Sequence, residues 1–235
     1  MDKKQALEMI NHSFNMIFGK ENPFALETVF SKFAFDIKLP KKVMDSITGQ
    51  ETWTQSIHSN LFITQTNMRT YDKQKGWMLP RQNVKNLKDI LDIWKKINYT
   101  TTERQYDCIN VSQCDPIYKT ENAFHCSDCC ACRNIAFCDG CADCEFTIAS
   151  QRTSSSGFCL RVDDSNTCTN SYNVVCSSNI SNSFFIQDCN SLHECLFCSH
   201  IANKKFCISN MPFEEKEYFM IKNEIINWIL SKETI

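Results

Sequence analysis

Glycine and proline are scarce, at five of each in 235 residues. That excludes collagen-like and linker-dominated chains. No apolar run approaches the 18 or so residues that read as a membrane span. The Met1-Asp2-Lys3-Lys4 start has no apolar stretch behind it, so no signal peptide is expected and a reducing compartment follows. Charge of neither sign dominates, since 25 Lys and Arg face 27 Asp and Glu. A net charge of −2 supplies no electrostatic reason for a nucleic-acid partner. With 43% apolar residues the chain is not disordered either. The most pointed lack is local. The first 107 residues contain no cysteine, whereas all sixteen lie between Cys108 and Cys207.

The cysteine-free region, 1–107, reads as mainly helical. Asp2 caps a helix with Leu7, Ile10, Phe14 and Ile17 on one face and Gly19 as terminator. Asn22-Pro23 opens a second helix that turns Leu26, Val29, Phe30 and Phe33 inward. Asp36–Val43 is expected to be extended and 44–82 irregular, pinned by Trp53, Phe62, Trp77 and Met78. A third helix after Asn83 carries Val84, Leu87, Ile90, Leu91, Trp94 and Ile97 at helical spacing, read as core.

From Asn98 the helical period stops. Residues 122–138 align without gaps on 182–198, with six of seventeen positions identical and an offset of 60. Cys138, Cys159, Cys176 and Cys198 recur at 21, 17 and 22 residues, and Cys129, Cys168, Cys189 and Cys207 at 39, 21 and 18. Sixty is three times twenty. The expected fold is therefore α+β: a helical N-terminal region, then a right-handed parallel β-solenoid over 108–210 with coils of about twenty residues, four to five in all. A C-terminal segment, 211–235, follows, whose helix from Glu214 to Leu230 caps the open end. Inside such coils equivalent side chains stack about 4.8 Å apart. Cysteine suits that ladder as a small buried hydrophobe, without metal or oxidation.

The ending Asn203-Lys204-Lys205-Phe206-Cys207-Ile208-Ser209-Asn210, with Phe213, Glu217 and Tyr218, resembles that of Cys-rich β-solenoid proteins from phages and candidate-phyla bacteria. Asp188-Cys189 and Cys195-x-x-Cys198 resemble their coils. The resemblance spans about 120–220. It implies the solenoid and brings no assigned activity.

Several chemical readings compete. Cys126-x-x-Cys129 and Cys138-x-x-Cys141 have the spacing of a structural zinc site, with His125 adjacent, and His193 and His200 flank a second CxxC. Cys138-x-x-Cys141-x-x-Cys144 lacks the fourth ligand and proline of an iron–sulfur motif. Arg152, Arg161, Asp163 and Asp164 surround Thr153–Gly157, read as a loop bulging from a coil, where binding residues are often placed. Asp163 and Asp164 are strand neighbours, expected on opposite faces and so unable to act as a catalytic pair. The leading expectation is a non-enzymatic structural or interaction protein with protein partners or self-assembly, no nucleic acid and no membrane, in a reducing cytoplasm or a phage or virus particle. No cofactor is expected. A zinc-binding module at 126–144 is the alternative, and an enzyme built on the 152–164 loop is the third reading.

Overall fold

The computed structural model describes residues 1–58, 60–75 and 77–231, with the side chains of 72–75 left aside. Residues 105–208 wind into a parallel β-solenoid of about nine turns, as the fold class anticipates. The register corrects the pitch. Gly157 pairs with Thr169, Val162 with Val174, Ser178 with Asn190 and Cys195 with Cys207, so each coil holds twelve residues and not twenty. The 60-residue self-match is five coils.

The twelve are four triplets. Nearly every third residue from Asn110 to Ser209 is left-handed: Asn179, Asn182, Phe185, Asp188 and Ser191 run in sequence, all with φ near +50°. Asn and Asp, which tolerate that conformation best, supply many of these corners. Each corner N–H bonds back to the coil before, as Asp188 N does to Val175 O at 3.1 Å. The residue before each corner bonds forward, as Asn166 N does to Ser177 O at 3.1 Å. The third residue points inward, and its N–H needs another acceptor.

A short side chain in the preceding coil provides it. Val162 N, Cys168 N, Cys189 N and Cys195 N donate to Ser150, Ser156, Ser177 and Ser183 Oγ at 2.9–3.0 Å. Cys126 N reaches Cys114 Sγ at 3.3 Å. The same side chains donate to the carbonyl two residues back, as Cys129 does to Ser127 O at 3.1 Å and Thr153 to Gln151 O at 3.0 Å. The interior therefore selects Cys, Ser and Thr because each is short and can both accept and donate.

One flank of the solenoid is apolar. Phe124, Ala136, Ile148, Leu160, Tyr172, Phe184, Leu196 and Ile208 stand twelve apart in a single row, in one core with the helices. Helix α1 (Lys3–Phe18) lies along this row. It is capped by Asp2 and ended by Gly19 in the left-handed region, as expected. Its His12 meets Phe146 and Phe158, and its Phe18 meets Tyr172 and Phe184. Sixteen residues at about 1.5 Å match five coil steps at about 4.8 Å, so the helix covers about five of the row's seven steps. Helix α2 (Leu26–Phe33) begins three residues later than expected, because Asn22 spends its carboxamide on a turn to Phe24 N at 3.0 Å.

The region 44–82 is more regular than anticipated. Strands β1 (Lys41–Met44) and β2 (Glu51–Thr54) form a hairpin, β3 (Leu61–Thr64) pairs in parallel with β4 (Tyr99–Thr102), and α3 covers Gln65–Lys75. Buried Asp45 organises it by accepting from Ile47 N, Thr48 N, Thr64 N and Asn67 Nδ2. Burial works to raise its carboxyl, but these donors outweigh it and hold the group at about 2. Helix α4 (Leu87–Ile97) is a further correction. Its apolar stripe was expected in the core, yet none of its residues is buried, and Met78 before it is 91% exposed.

Helix α5 (Glu215–Ile229) follows the last coil but runs back along its flank, where the sequence suggested a lid over the open end. Tyr218 meets Phe206, Lys222 reaches Asn182 O and Glu194, and Trp228 lies over Phe185, in steadily earlier coils. The apolar row favours the flank because it leaves more surface to bury than a coil end does.

His125 sits where hairpin, α2 and coils converge. Phe30 stacks on it at 5.6 Å, Trp53 packs at 4.9 Å, and Nε2 lies 2.9 Å from Pro40 O. Burial holds its pKa below the ordinary histidine value. The folded state thus keeps the ring neutral, while the unfolded chain takes up a proton below about pH 6.5. The stability this contributes is present above that pH and declines as pH falls toward the folded value. Urea midpoints are expected to drop between pH 7 and pH 5, and His125→Phe should flatten that segment of the curve.

Candidate functional site

The four thiols at zinc spacing do come together. Cys126 and Cys138 belong to one inward row, and Cys129 and Cys141 to the next, all within 1% of complete burial. Their hydrogens are engaged: Cys126 donates to Phe124 O, Cys129 to Ser127 O and Cys138 to Thr147 O at 3.1–3.3 Å. Zinc would need those protons removed. The four are split: burial pushes the Cys126 thiol well up and bonds to neighbouring thiols push Cys141 well up, whereas such bonds draw Cys129 well down and, against burial, bring Cys138 to about 6. Among the described residues no group of three or more His, Cys, Asp or Glu side chains is disposed to hold a metal ion. His125 is turned outward to Pro40, away from these thiols.

The proposed ladder Cys129, Cys138, Cys159, Cys168, Cys176, Cys189, Cys198 and Cys207 is not a single stack. Modulo the twelve-residue coil these residues fall in several rows, and Cys176 is exposed at a left-handed corner. Of all sixteen cysteines, Cys130 and Cys176 are exposed, Cys108 is partly so, and the other thirteen are buried. An aromatic disulfide reagent is therefore expected to titrate two thiols quickly in the native protein, and the buried set only in denaturant. Fast reaction of Cys126, Cys129, Cys138 or Cys141 would contradict the closed interior.

The Arg152–Asp164 group also differs from expectation. Residues 153–157 do not bulge. Ser154 bridges Ala142 on one side and Asn166 on the other, within the unbroken register. Asp163 and Asp164 both point outward, because a corner follows Asp163 where a plain strand would alternate. Both are engaged by Arg152, at 2.7 Å from Asp163 and 2.5–2.8 Å from Asp164. The Arg152 contact draws the Asp164 carboxyl below its ordinary range. Arg161 belongs elsewhere. It clamps Asp36 through both terminal nitrogens at 2.8–2.9 Å and donates to Phe33 O at 2.6 Å, tying the end of α2 to the coils.

What the sequence reading missed is the flank opposite the helices. Asn166, Thr167 and Thr169, then Ser178, Asn179 and Ser181, then Asn190, Ser191 and His193 form successive rows on it. Helix α1 meets the strand that contains the first of these rows through Tyr172, on the apolar flank. The side chains bond along the axis, Asn179 to Ser191 at 3.0 Å and Ser181 to His193 at 2.8 Å, which holds them in an ordered array. Beside it runs a shallow groove of about 690 Å³ lined by Asp164, Cys176, Asp188, Asn190 and His200. Exposed Cys176 has Asp188 as its neighbour in the next coil, and His200 lies one coil further, 3.7 Å from Asp188. Two coil steps of about 4.8 Å separate the backbones of Cys176 and His200.

Comparison with protein-family models, with curated proteins and with solved structures gives no match.

Proposed function

We propose that this chain is a non-enzymatic structural or interaction protein whose working surface is the open polar flank of the solenoid. One observation carries the reading: helices α1, α2 and α5 gather on a single apolar flank, and the opposite flank presents ordered Asn, Ser and Thr rows from 166 to 193. A stack of parallel coils is stiff, because every coil is hydrogen-bonded to its neighbours, and stiffness lowers the entropy lost on binding. Small polar side chains already bonded to one another add little further ordering cost. The partner is a protein or a second copy of the chain. The setting we favour is a phage or virus particle, on the resemblance of the last coils.

The test uses Cys176, an exposed thiol beside the flank. A photo-crosslinker attached there, in a Cys130→Ser background that removes the other exposed thiol, should join the protein to one partner species or to itself in its native source. Thr167→Arg/Asn179→Arg/Ser191→Arg, which changes only outward corners, should abolish the adduct and keep a cooperative melt, lowered by the loss of Asn179 at its left-handed corner and of its bond to Ser191. Persistence of the adduct in that variant would refute the assignment of the flank. Mass spectrometry of purified particles tests the setting.

A further inference from the structure

Helix α4 is amphipathic, and its apolar stripe is turned to solvent. Leu87, Ile90, Leu91 and Trp94 are 68, 52, 44 and 51% exposed, and the lead-in adds Met78 at 91% and Leu79 at 45%. At 100° per residue those four helical positions occupy one arc, whereas Asp89, Ile93 and Ile97 lie toward the body and are less exposed. The helix is self-sufficient at its ends. Asn86 caps Asp89 N at 3.1 Å, Asp89 stands in the first turn, and Lys95 and Lys96 in the last. An exposed apolar patch on a helix that is otherwise well specified marks a docking surface.

The charge beside the patch identifies what it docks on. Residues 81–97 carry Arg81, Lys85, Lys88, Lys95 and Lys96 against Asp89 and Asp92, a net +3 in a chain whose total is −2. Lys88 and Lys95 lie two turns apart along one border of the stripe. Asp89 is occupied by Lys85 N at 2.9 Å, and Asp92 lies 3.7 Å from Lys95. A second copy fits poorly, because two-fold antiparallel pairing of α4 with itself would set Lys88 of one helix against Lys95 of the other. Eleven residues rise only about 16 Å, too short to cross a hydrocarbon core of about 30 Å.

We propose that α4 and its lead-in form a membrane-surface anchor, laying Leu87, Ile90, Leu91 and Trp94 into an anionic bilayer interface with Lys88 and Lys95 at the headgroups. Apolar insertion and headgroup attraction act together, as they do for interfacial helices. The sequence suggested no membrane partner because the same stripe reads as core when its exposure is unknown.

The full chain is tested by co-sedimentation with vesicles of phosphatidylcholine alone and of phosphatidylcholine mixed with phosphatidylserine. Binding is expected only with phosphatidylserine, weakened by salt and accompanied by a blue shift of tryptophan emission that Trp94→Phe removes. Lys88→Gln/Lys95→Gln should weaken it about 25-fold, at about fivefold per lysine. Trp94→Glu should weaken it at least about tenfold. Neither variant should change the melt, since α4 buries no residue. No binding to anionic vesicles would overturn the proposal, as would equal binding to both vesicle types or full binding by the lysine variant. A dimer that Trp94→Glu dissociates, without lipid binding, would also overturn it and assign the stripe to contact between copies.

Discussion

Deletion of the single residue Ser155 is expected to unfold the coils, whereas deletion of the twelve residues 166–177 is expected to leave a folded, shorter solenoid. Ser155 is a left-handed corner. Without it, every later residue must shift by one place in the triplet, or one side of a coil must be spanned by two residues in place of three. The shift would force Val162, Val174, Ile180, Ile186 and Ile201 into left-handed corners at roughly 1–2 kcal/mol each. It would also turn Asn166, His193 and Lys205 inward. The sum, about 5–10 kcal/mol before any cost of buried polar groups, is comparable to the whole stability of a domain. The alternative breaks the hydrogen bonds of a coil that Ser154 and Thr167 now complete, the latter through Thr167 N to Ser154 O at 3.1 Å. Removing 166–177 joins Ser165 to Ser178 and preserves every row. It shortens the apolar flank by one step of about 4.8 Å, so some contact with α1 and α5 is lost. Circular dichroism and thermal melts distinguish the cases. A cooperative melt for the Ser155 deletion would contradict the strict triplet.

The second large effect is at Lys222. This α5 side chain is 11% exposed and makes three contacts with the coils: Glu194 Oε2 at 2.6 Å, Asn182 O at 2.8 Å, and the Phe184 ring at 4.9 Å. Glu194 stands at a left-handed corner with its side chain 12% exposed. Lys222→Met keeps the stem and leaves a buried carboxylate without its cation, which costs about 3–5 kcal/mol. At about 2–4 °C per kcal/mol for a chain of this size, the melting temperature should fall by roughly 6–20 °C. Adding Glu194→Leu should restore much of the loss, because a buried ion pair replaced by apolar groups of similar volume is often neutral. A single variant as mild as a surface substitution would show that α5 is held by Tyr218, Ile226 and Ile229 alone.

Arg104 and Asp115 play a similar part at the other end. Fully buried Asp115 accepts from Arg104 Nε, Nη2 and backbone N, from Thr54 Oγ1 and from Gln55 N, all within 3.1 Å. The carboxylate draws the guanidinium above its ordinary pKa. This junction, the Arg161 clamp, the shared apolar core, the His125 contact with Pro40 and the bonds of Gln55 to Ser127 and Asp139 join the cysteine-free region to the coils.

The coil length was present in the residue spacing but was read with the wrong divisor. Fourteen of the sixteen cysteines are separated from one another by multiples of three, and the two out of phase, Cys130 and Cys176, are the exposed ones. The intervals of 17 and 22 both arise from Cys176. Repeats at twelve were also visible: Tyr106 and Tyr118, Phe146 and Phe158, and Phe185 and Phe197 each stack within 4.4–5.0 Å, and Asn110, Asn122 and Asn134 form a hydrogen-bonded file. Strand logic with period two hid the triplet and placed Asp163 and Asp164 on opposite faces.

By itself the sequence determined that a solenoid follows a helical front, that its interior is small and thiol-rich, and that α1 begins at Asp2 and ends at Gly19. Those outcomes are local: composition, capping and periodic spacing act over a few residues. Only the tertiary structure decided which flank the helices cover, that α5 lies along the coils, and that Arg161 reaches Asp36. The same holds for the exposure of Leu87, Ile90, Leu91 and Trp94. An amphipathic stripe specifies that one helix face is apolar, but what meets that face depends on surfaces assembled from distant residues, here the row from Phe124 to Ile208 that three helices occupy and α4 does not.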